Sequence, residues 1–323
     1  MTIRITYERE GLIDVLDGYK NESVKQAPGL VQFRIKAYQE KDCVWQYEGS
    51  TGKIIPEEGR ELSQDVLKAL DMCGASELTS SFHGYREEKK LEASDWKTWF
   101  LDKVTLKYLI PDTNFIYRHY GSKVLAHILG EDFNSLIFRL PRLVVLEIER
   151  RGNNAEEDSP DKRLSFYAAR EMRFLKSNPN FDLLPNIDIT LFSTFPEKAG
   201  RRLVDMWIRK EIHDFLEGMG GYTNISPRGV IFLTCDLMNA LAAEAEGLNT
   251  CYFSKTDQQS YFINDNTQQL FDFIMASTMV LGKIRLDVIL TGDVVHKSFT
   301  LEGIWSGKTT SQWYSDCVKA TFN

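Results

Sequence analysis

The fold is decided by the stretch Val230-Ile231-Phe232-Leu233-Thr234, which is followed directly by Cys235-Asp236. Four apolar residues and a β-branched threonine in one short run predict a buried strand. A helix is predicted next, at Leu237–Glu246, because Gly247 then ends the apolar pattern. Asp236 is therefore expected at the point where a strand ends and a helix begins.

A second strand of the same kind is Tyr108-Leu109-Ile110, and the residues after it are Pro111-Asp112-Thr113-Asn114. A helix is predicted next, and it stops at Gly130. The apolar residues of this helix recur at helical spacing and are Ile116, Tyr120, Val124 and Ile128. Asp112 is therefore also expected between a strand and a helix.

Strands and helices alternate from Tyr108 onward, which is typical of a parallel sheet with helices on both faces. The further elements predicted are a strand at 136–138, helices at 143–148 and 164–175, a β-like run at 187–192, a helix at 201–216 and a strand at 250–253. The predicted fold class is therefore α/β with a central parallel sheet.

Asp112 and Asp236 are expected at one edge of this sheet, because functional groups in an open parallel α/β sheet gather at the carboxyl ends of the strands. Two carboxylates at one edge repel each other unless a cation lies between them. Oxygen ligands favour Mg²⁺ or Mn²⁺ over zinc. The alternative is that each aspartate only caps the helix that follows it.

Three motifs resemble those of the PIN-domain nucleases. Asp112-Thr113-Asn114 after an apolar strand is similar to the first motif, and Leu143–Arg150, a helix with an inward glutamate, is similar to the second. Leu233–Asp236, followed by Asn239-Ala240, is similar to the closing motif. The resemblance extends from about Lys107 to Ser254 and implies a Rossmann-like PIN domain.

The resemblance implies four acidic residues that are both catalytic and metal-binding: Asp112, Glu147, Asp205 and Asp236. In the second motif, Glu147 and Glu149 project about 200° apart on a helix of roughly 3.6 residues per turn. Glu147 is preferred because the apolar side chains of the motif lie closer to its side. Asp205 fits best the acid that the family places in a helix before the last strand, and Asp214 and Glu211 are the alternatives.

The function that this resemblance implies is a metal-dependent phosphodiesterase, an endoribonuclease that cleaves single-stranded RNA. Water activated by Mg²⁺ or Mn²⁺ would leave 5′-phosphate and 3′-hydroxyl ends. Asn114, Thr234 and Asn239 would steady the ligands through hydrogen bonds. RNA is preferred over single-stranded DNA only because it is the commoner substrate in the family. The alternative hypothesis is a PIN-fold scaffold that binds RNA or protein partners with weak or no catalysis.

Basic residues flank the acidic motifs and could contact the phosphate backbone of a substrate. The substrate-binding candidates are Arg142, Arg150, Arg151, Arg201 and Arg202. A further basic group, which includes Arg163 and Arg173, lies on the helix predicted at 164–175 and just before it. An ordinary solvated helix face explains these charges equally well, because acidic residues are interspersed.

Three consecutive segments are predicted from these patterns. The PIN-like domain is expected at residues 105–258, after an N-terminal accessory α+β region at 1–104. In that region, Ser76–Phe100 is interpreted as a helical linker or lid. A helix followed by a β-rich module is expected at 259–323, where strands are predicted at 284–290, 297–305 and 312–322.

The composition excludes several classes of protein. The net charge of -7 argues against a surface coated with basic charge, although a nuclease needs only a local basic rim. Five widely spaced cysteines without a CxxC pair predict buried free thiols rather than a zinc knuckle or a disulfide framework. The absence of a long apolar run and of a secretory-type N-terminus predicts a cytoplasmic protein without membrane partners. A homodimer is left open.

Overall fold

The computed structural model describes residues 3–8, 32–37, 44–48, 53–56, 64–75, 78–84, 87–91, 93–104, 107–156, 159–185, 201–218, 229–255, 261–262, 267–289, 295–304 and 317–322. The β-like run predicted at 187–192 lies outside these residues.

The strands in chain order are β1 Ile3–Glu8, β2 Gln32–Ala37, β3 Val44–Glu48, β4 Lys53–Pro56, β5 Leu78–Gly84, β6 Glu87–Leu91, β7 Tyr108–Pro111, β8 Ile137–Leu140, β9 Asp182–Leu183, β10 Val230–Thr234, β11 Thr250–Lys255, β12 Tyr261–Phe262, β13 Lys283–Ile289, β14 Val295–Ile304 and β15 Cys317–Phe322.

The α-helices are α1 Gln64–Met72, α2 Ala93–Trp99, α3 Thr113–Tyr117, α4 Ala126–Leu129, α5 Arg142–Asn154, α6 Pro160–Lys176, α7 Arg201–Leu216, α8 Leu237–Ala245 and α9 Thr267–Leu281. Short π-helical turns occupy Phe100–Val104 and Gly121–Leu125, and a 3-10 helix occupies Gly130–Ser135.

The contacts group the chain into two compact units. The parallel-sheet unit comprises Leu78–Asn154 and Glu171–Thr256. The antiparallel-sheet unit comprises Met1–Glu77, Ala155–Arg170 and Asp257–Asn323. The residues proposed for catalysis from the sequence all belong to the parallel-sheet unit.

The parallel-sheet unit contains a seven-stranded sheet in the order β6-β5-β11-β10-β7-β8-β9, counted over the described residues. The strands from β11 to β9 are mutually parallel, whereas β5 and β6 join as an antiparallel edge. Every residue of β10 is buried, as expected for a strand covered on both faces. The predicted α/β class with a mostly parallel central sheet is therefore confirmed.

The prediction of one unbroken helix that ends at Gly130 is wrong in one respect, because the structure divides this segment into shorter helices. The helix α3 ends at Tyr117, and His119 follows with a φ of 56° in the left-handed region. A π-helical turn and the short α4 then complete the segment. Of the four apolar residues that defined the predicted helix, Ile116, Tyr120 and Val124 are buried and Ile128 is half-buried. The spacing did not predict that the backbone is interrupted between them.

The segment Ser76–Phe100 is not mainly a helical linker or lid. Most of its described residues form the antiparallel pair of β5 and β6, and helix α2 follows. Because β5 also pairs with β11, this hairpin extends the parallel sheet at its edge. The charged strand β6 has the composition of an edge strand that discourages pairing with other chains.

The antiparallel-sheet unit contains an eight-stranded sheet, again counted over the described residues, in the order β1-β15-β14-β13-β2-β3-β4-β12. Neighbouring strands are antiparallel throughout. Strands from both ends of the chain thus lie in one sheet, and α1 packs against α9 in the same unit.

Two further sequence expectations concern the described residues. Cys73, Cys235 and Cys251 are buried thiols outside any disulfide bond, as predicted. Within the same part of the chain, none of the helices is long and apolar enough to cross a membrane.

Candidate active site

The strands β7 and β10 lie side by side in parallel at the centre of the sheet. Their register pairs Leu233 with Pro111, and the backbone amide of Asp112 donates a hydrogen bond of 2.9 Å to the carbonyl of Leu233. Because parallel neighbours end at the same edge of a sheet, Asp112 leaves the sheet beside Thr234.

The carboxylate of Asp112 is buried at this edge, and the residue is only 1% exposed. Its Oδ1 accepts a hydrogen bond of 2.7 Å from the amide of Phe115 and thereby caps α3. Its Oδ2 accepts hydrogen bonds from the Thr234 hydroxyl at 2.5 Å and from Asn239 Nδ2 at 3.3 Å. Donors from three separate parts of the chain therefore hold this carboxylate in one orientation.

Burial raises the pKa of Asp112 from 3.8 to about 7, because the charged carboxylate loses its hydration. The hydrogen bonds from Thr234, Phe115 and Asn239 lower this pKa, and the negative charge of Asp205 raises it. A buried carboxylate near a second acid is costly unless positive charge is supplied. The electrostatics at this position therefore favour a cation.

Glu147 lies close to the helix that Asp112 caps. The hydroxyl of Thr113 donates a hydrogen bond of 2.5 Å to Glu147 Oε2. Glu147 is half-buried on α5, whereas Glu149 on the same helix is exposed. Of the two glutamates considered from the sequence, Glu147 is thus the one in contact with the residue that directly follows Asp112.

The three candidates for the third acid differ in their surroundings. Asp205 is half-buried on α7, and its charge acts on Asp112. Asp214 instead pairs with Lys210, whose Nζ lies 2.7 Å from its Oδ2. The buried Glu211 accepts hydrogen bonds from the first two amides of α5, at 2.8 and 3.2 Å. Of these three acids, Asp205 is the one whose negative charge is a main cause of the raised pKa of Asp112.

Asp236 caps α8 in the way that the capping hypothesis describes. Its Oδ1 accepts hydrogen bonds from the amides of Met238 at 2.8 Å and Asn239 at 3.2 Å, and its own amide donates to Thr234 Oγ1 at 3.0 Å. Both capping bonds go to Oδ1, so Oδ2 receives no hydrogen bond from a residue that the structure describes. Capping therefore uses only one of the two carboxylate oxygens of Asp236.

The three residues predicted to steady the ligands are placed differently. Thr234 and Asn239 both donate hydrogen bonds to Asp112. Asn114 is half-buried in the first turn of α3. The structure thus brings two of the three into contact with a candidate ligand.

Two residues near these acids were missed in the sequence analysis. Arg209 is buried, and its NH1 donates a hydrogen bond of 2.6 Å to Asn239 Oδ1. The sequence contained a signal only for its place near the acids, because Arg209 lies four residues after Asp205 on the same helical face. Tyr252 pairs in register with Thr234, and its pKa is raised mainly by burial and also by the charges of Cys235 and Asp236.

The structure describes the side chains of three of the five predicted substrate-binding arginines. Arg142 is exposed, and its Nε donates to the carbonyl of Leu184 at 3.0 Å. Arg150 and Arg151 are half-buried. Arg201 and Arg202 begin α7, but their side chains lie outside the described residues. The basic rim therefore stays a prediction.

Among the side chains that the structure describes, no group of three or more His, Cys, Asp and Glu residues is arranged to hold a metal ion. The chemistry of the four candidate acids nevertheless fits a hard cation, because all of their donor atoms are carboxylate oxygens. The repulsion between Asp112 and Asp205 is also what a bound cation relieves. The chemical type of these donor atoms thus fits Mg²⁺ or Mn²⁺, although the described side chains do not converge on one point.

Comparison with known proteins adds little to this description. No family model matches the chain, and no curated protein matches it. Among solved structures, it is similar to a domain of a functionally unknown protein from Methanocaldococcus jannaschii DSM 2661, with a TM-score of 0.34 and 17% sequence identity. The match covers 47% of this chain and 95% of that domain. A TM-score this low supports no conclusion about fold or activity.

Proposed function

We propose that the parallel-sheet unit contains a PIN-like nuclease domain and that the protein is a metal-dependent phosphodiesterase. The polymer that we propose is single-stranded RNA, cut internally. The observation that carries the proposal is the buried carboxylate of Asp112 at the carboxyl edge of the sheet, where Thr234 and Asn239 both donate hydrogen bonds to it. Functional groups of open α/β sheets gather at this edge.

Helix capping alone does not account for the position of Asp112. A capping aspartate needs only one or two backbone amides as partners. Asp112 has one such amide and also two side-chain donors from the strand and helix around β10 and α8. Its burial near a second acid costs free energy, and a divalent cation offsets that cost. We infer that Asp112 takes part in binding a cation.

The cation and the protein side chains have separate roles in this proposal. Mg²⁺ or Mn²⁺ held by the four acids would activate water for attack on phosphorus and offset charge on the phosphoryl oxygens, leaving 5′-phosphate and 3′-hydroxyl ends. Thr234 and Asn239 orient the carboxylate of Asp112 through their hydrogen bonds. Thr113 orients Glu147 in the same way, and Asp236 offers Oδ2 while Oδ1 caps α8.

The decisive experiment incubates the full chain with 5′-labelled single-stranded RNA and with DNA of matching sequence, in Mn²⁺, Mg²⁺ or EDTA. The proposal expects metal-dependent cutting that Asp236→Asn abolishes. The control is Asp214→Asn, which removes a carboxylate of the same kind that pairs with Lys210 instead. Cutting that survives Asp236→Asn, or 2′,3′-cyclic phosphate ends that depend on the same acids, would refute the mechanism.

A second candidate function is a PIN-fold scaffold that binds RNA or protein without cutting. The specific observation in its favour is that the described acidic side chains do not form a ready group of three around one point. Calorimetric titration separates the two functions. A nuclease binds Mn²⁺ stoichiometrically and loses this binding in Asp112→Asn, whereas a scaffold that still binds RNA shows no such metal binding.

A further inference from the structure

The side chain of Arg209 connects α7 to α8. Its NH1 donates to Asn239 Oδ1 at 2.6 Å, and its Nε lies 2.9 and 3.0 Å from the two carboxylate oxygens of Glu246. Asn239 and Glu246 are seven residues apart, which places them two helical turns apart on one face. Arg209 is 7% exposed and Asn239 is 3% exposed, so the contact between them is shielded from water.

The contact with Arg209 decides which way the amide of Asn239 points. A guanidinium group has only donors, whereas an amide side chain has an oxygen that accepts and a nitrogen that donates. The amide oxygen must therefore face Arg209, and the nitrogen then faces the opposite side. On that side lies Oδ2 of Asp112, at 3.3 Å from Asn239 Nδ2.

The opposite orientation of this amide would be unfavourable for Asp112. In the ionised form of Asp112, which is the form that binds a cation, the oxygen of Asn239 would then face a carboxylate oxygen, and two acceptors would meet without a proton between them. By excluding that orientation, Arg209 maintains a donor to Asp112. The charge of Arg209 is at the same time offset by Glu246, so it is not left to repel a cation near Asp112.

We propose that Arg209 is a positioning residue: it fixes the amide of Asn239 so that Asn239 donates to Asp112 and holds that carboxylate in place for a divalent cation. The inference rests on the proposed function. It extends that function by assigning a buried cationic side chain that acts through Asn239 and touches neither the cation nor the substrate. Residues that hydrogen-bond directly to a metal ligand, as Asn239 does to Asp112, typically contribute about 10- to 100-fold to metal affinity. The effect of Arg209 is transmitted through Asn239, so it is expected at the lower end of this range.

The test measures Mn²⁺ affinity by calorimetry and, on the same samples, the free energy of unfolding in urea. Arg209→Gln is expected to bind Mn²⁺ about tenfold more weakly, because glutamine can accept as well as donate and no longer fixes the amide. Arg209→Lys is expected to recover most of this loss, since lysine is again a pure donor. The matched control is Lys210→Gln, which removes a positive charge from the same helix at an exposed position.

A double-mutant cycle shows whether Arg209 acts through Asn239. Asn239→Leu removes the donor to Asp112 and leaves Arg209 paired with Glu246, so it is expected to weaken Mn²⁺ binding by itself. In that background, Arg209→Gln should produce no further loss of affinity. A merely structural role of Arg209 would instead lower stability in both backgrounds, with additive effects and no rescue by lysine.

The outcomes for the inference and for the proposed function are distinguishable. If the wild type binds no Mn²⁺, the proposed function fails, and the inference fails with it. If the wild type binds Mn²⁺ and folded Arg209→Gln binds it equally well, only the inference is overturned. Should Arg209→Gln not fold, Asn239→Leu decides, because wild-type affinity in that variant also overturns the inference.

Discussion

The hydroxyl of Thr113 donates a hydrogen bond of 2.5 Å to Glu147 Oε2, between residues 34 positions apart in the sequence. Thr113 directly follows Asp112 and is itself buried. The bond therefore joins α3, which Asp112 caps, to α5, which carries Glu147. Two of the four candidate ligands are in this way positioned relative to each other by one threonine side chain.

We predict that Thr113→Val weakens the metal dependence of cleavage. Valine has nearly the same shape as threonine but no hydroxyl, so Glu147 loses a donor without a large change in packing. The Mn²⁺ concentration that gives half-maximal cleavage should rise about tenfold. Thr113→Ser keeps the hydroxyl and should behave like the wild type. An unchanged Mn²⁺ dependence in the valine variant would show that this bond has no role in metal binding.

The elements around the candidate site could be predicted from the sequence where burial and local signals agree. The strand β10 and the helix α7 have the predicted bounds, Val230–Thr234 and Arg201–Leu216. In β10 the whole strand is buried, so its apolar run is continuous. The positions of Asp112 and Asp236 could be predicted in the same way, because each residue follows the continuous apolar run of a buried parallel strand.

Other features could not be predicted, because they depend on contacts that are distant in the sequence. The strand β6 has the sequence EEKKL, which has no apolar alternation, and it is a strand only because β5 lies beside it. The contact between Arg209 and Asn239 joins residues 30 positions apart on two helices. A composition or a periodicity contains no information about such a pairing.

The buried carboxyl group of Glu171 predicts a specific pH dependence of stability. Burial raises its pKa from 4.5 to about 7, although hydrogen bonds from Ser122 and the charge of Lys123 lower it. His119 Nδ1 lies 3.4 Å from its Oε2. Because the pKa is higher in the folded state, the stability from this group is fully present below pH 4.5 and is lost as the pH rises through 7.

Glu171→Gln cannot ionise, so it should lose less stability than the wild type between pH 5 and pH 8. Urea unfolding at several pH values in this interval measures the difference. The stability of the variant relative to the wild type should increase as the pH rises. Glu217→Gln, at an exposed position, is the control and should follow the wild-type curve. Parallel curves for Glu171→Gln and the wild type would contradict the prediction.

Arg163 was one of the basic residues considered for contact with phosphate, but in the structure it binds backbone carbonyls. It is buried on α6, and its Nε and NH2 donate to the carbonyls of Met279 and Val280 at 2.9 and 3.3 Å. These carbonyls lie in the last turn of α9, where backbone acceptors have no partner within the helix.

Arg163→Met should therefore lower the free energy of unfolding by about 1–3 kcal/mol. Arg173→Met makes the same change at an exposed position of α6 and should cost less. Equal decreases in the free energy of unfolding for the two variants, measured in urea, would show that the hydrogen bonds from Arg163 contribute little to stability.

The choice of Asp205 as third acid predicts how metal changes stability. A ligand that binds only the folded state stabilises it by about 2.7 kcal/mol at one hundred times its Kd. We expect this gain when Mn²⁺ is added to the wild type, with the urea midpoint as the measurement. Asp205→Asn should lose most of the gain, because the acid whose charge acts on Asp112 is removed. Asp214→Asn, nine residues further along α7, should keep it, because Asp214 is paired with Lys210. If Asp214→Asn loses the gain and Asp205→Asn keeps it, the third ligand has been assigned to the wrong residue of α7.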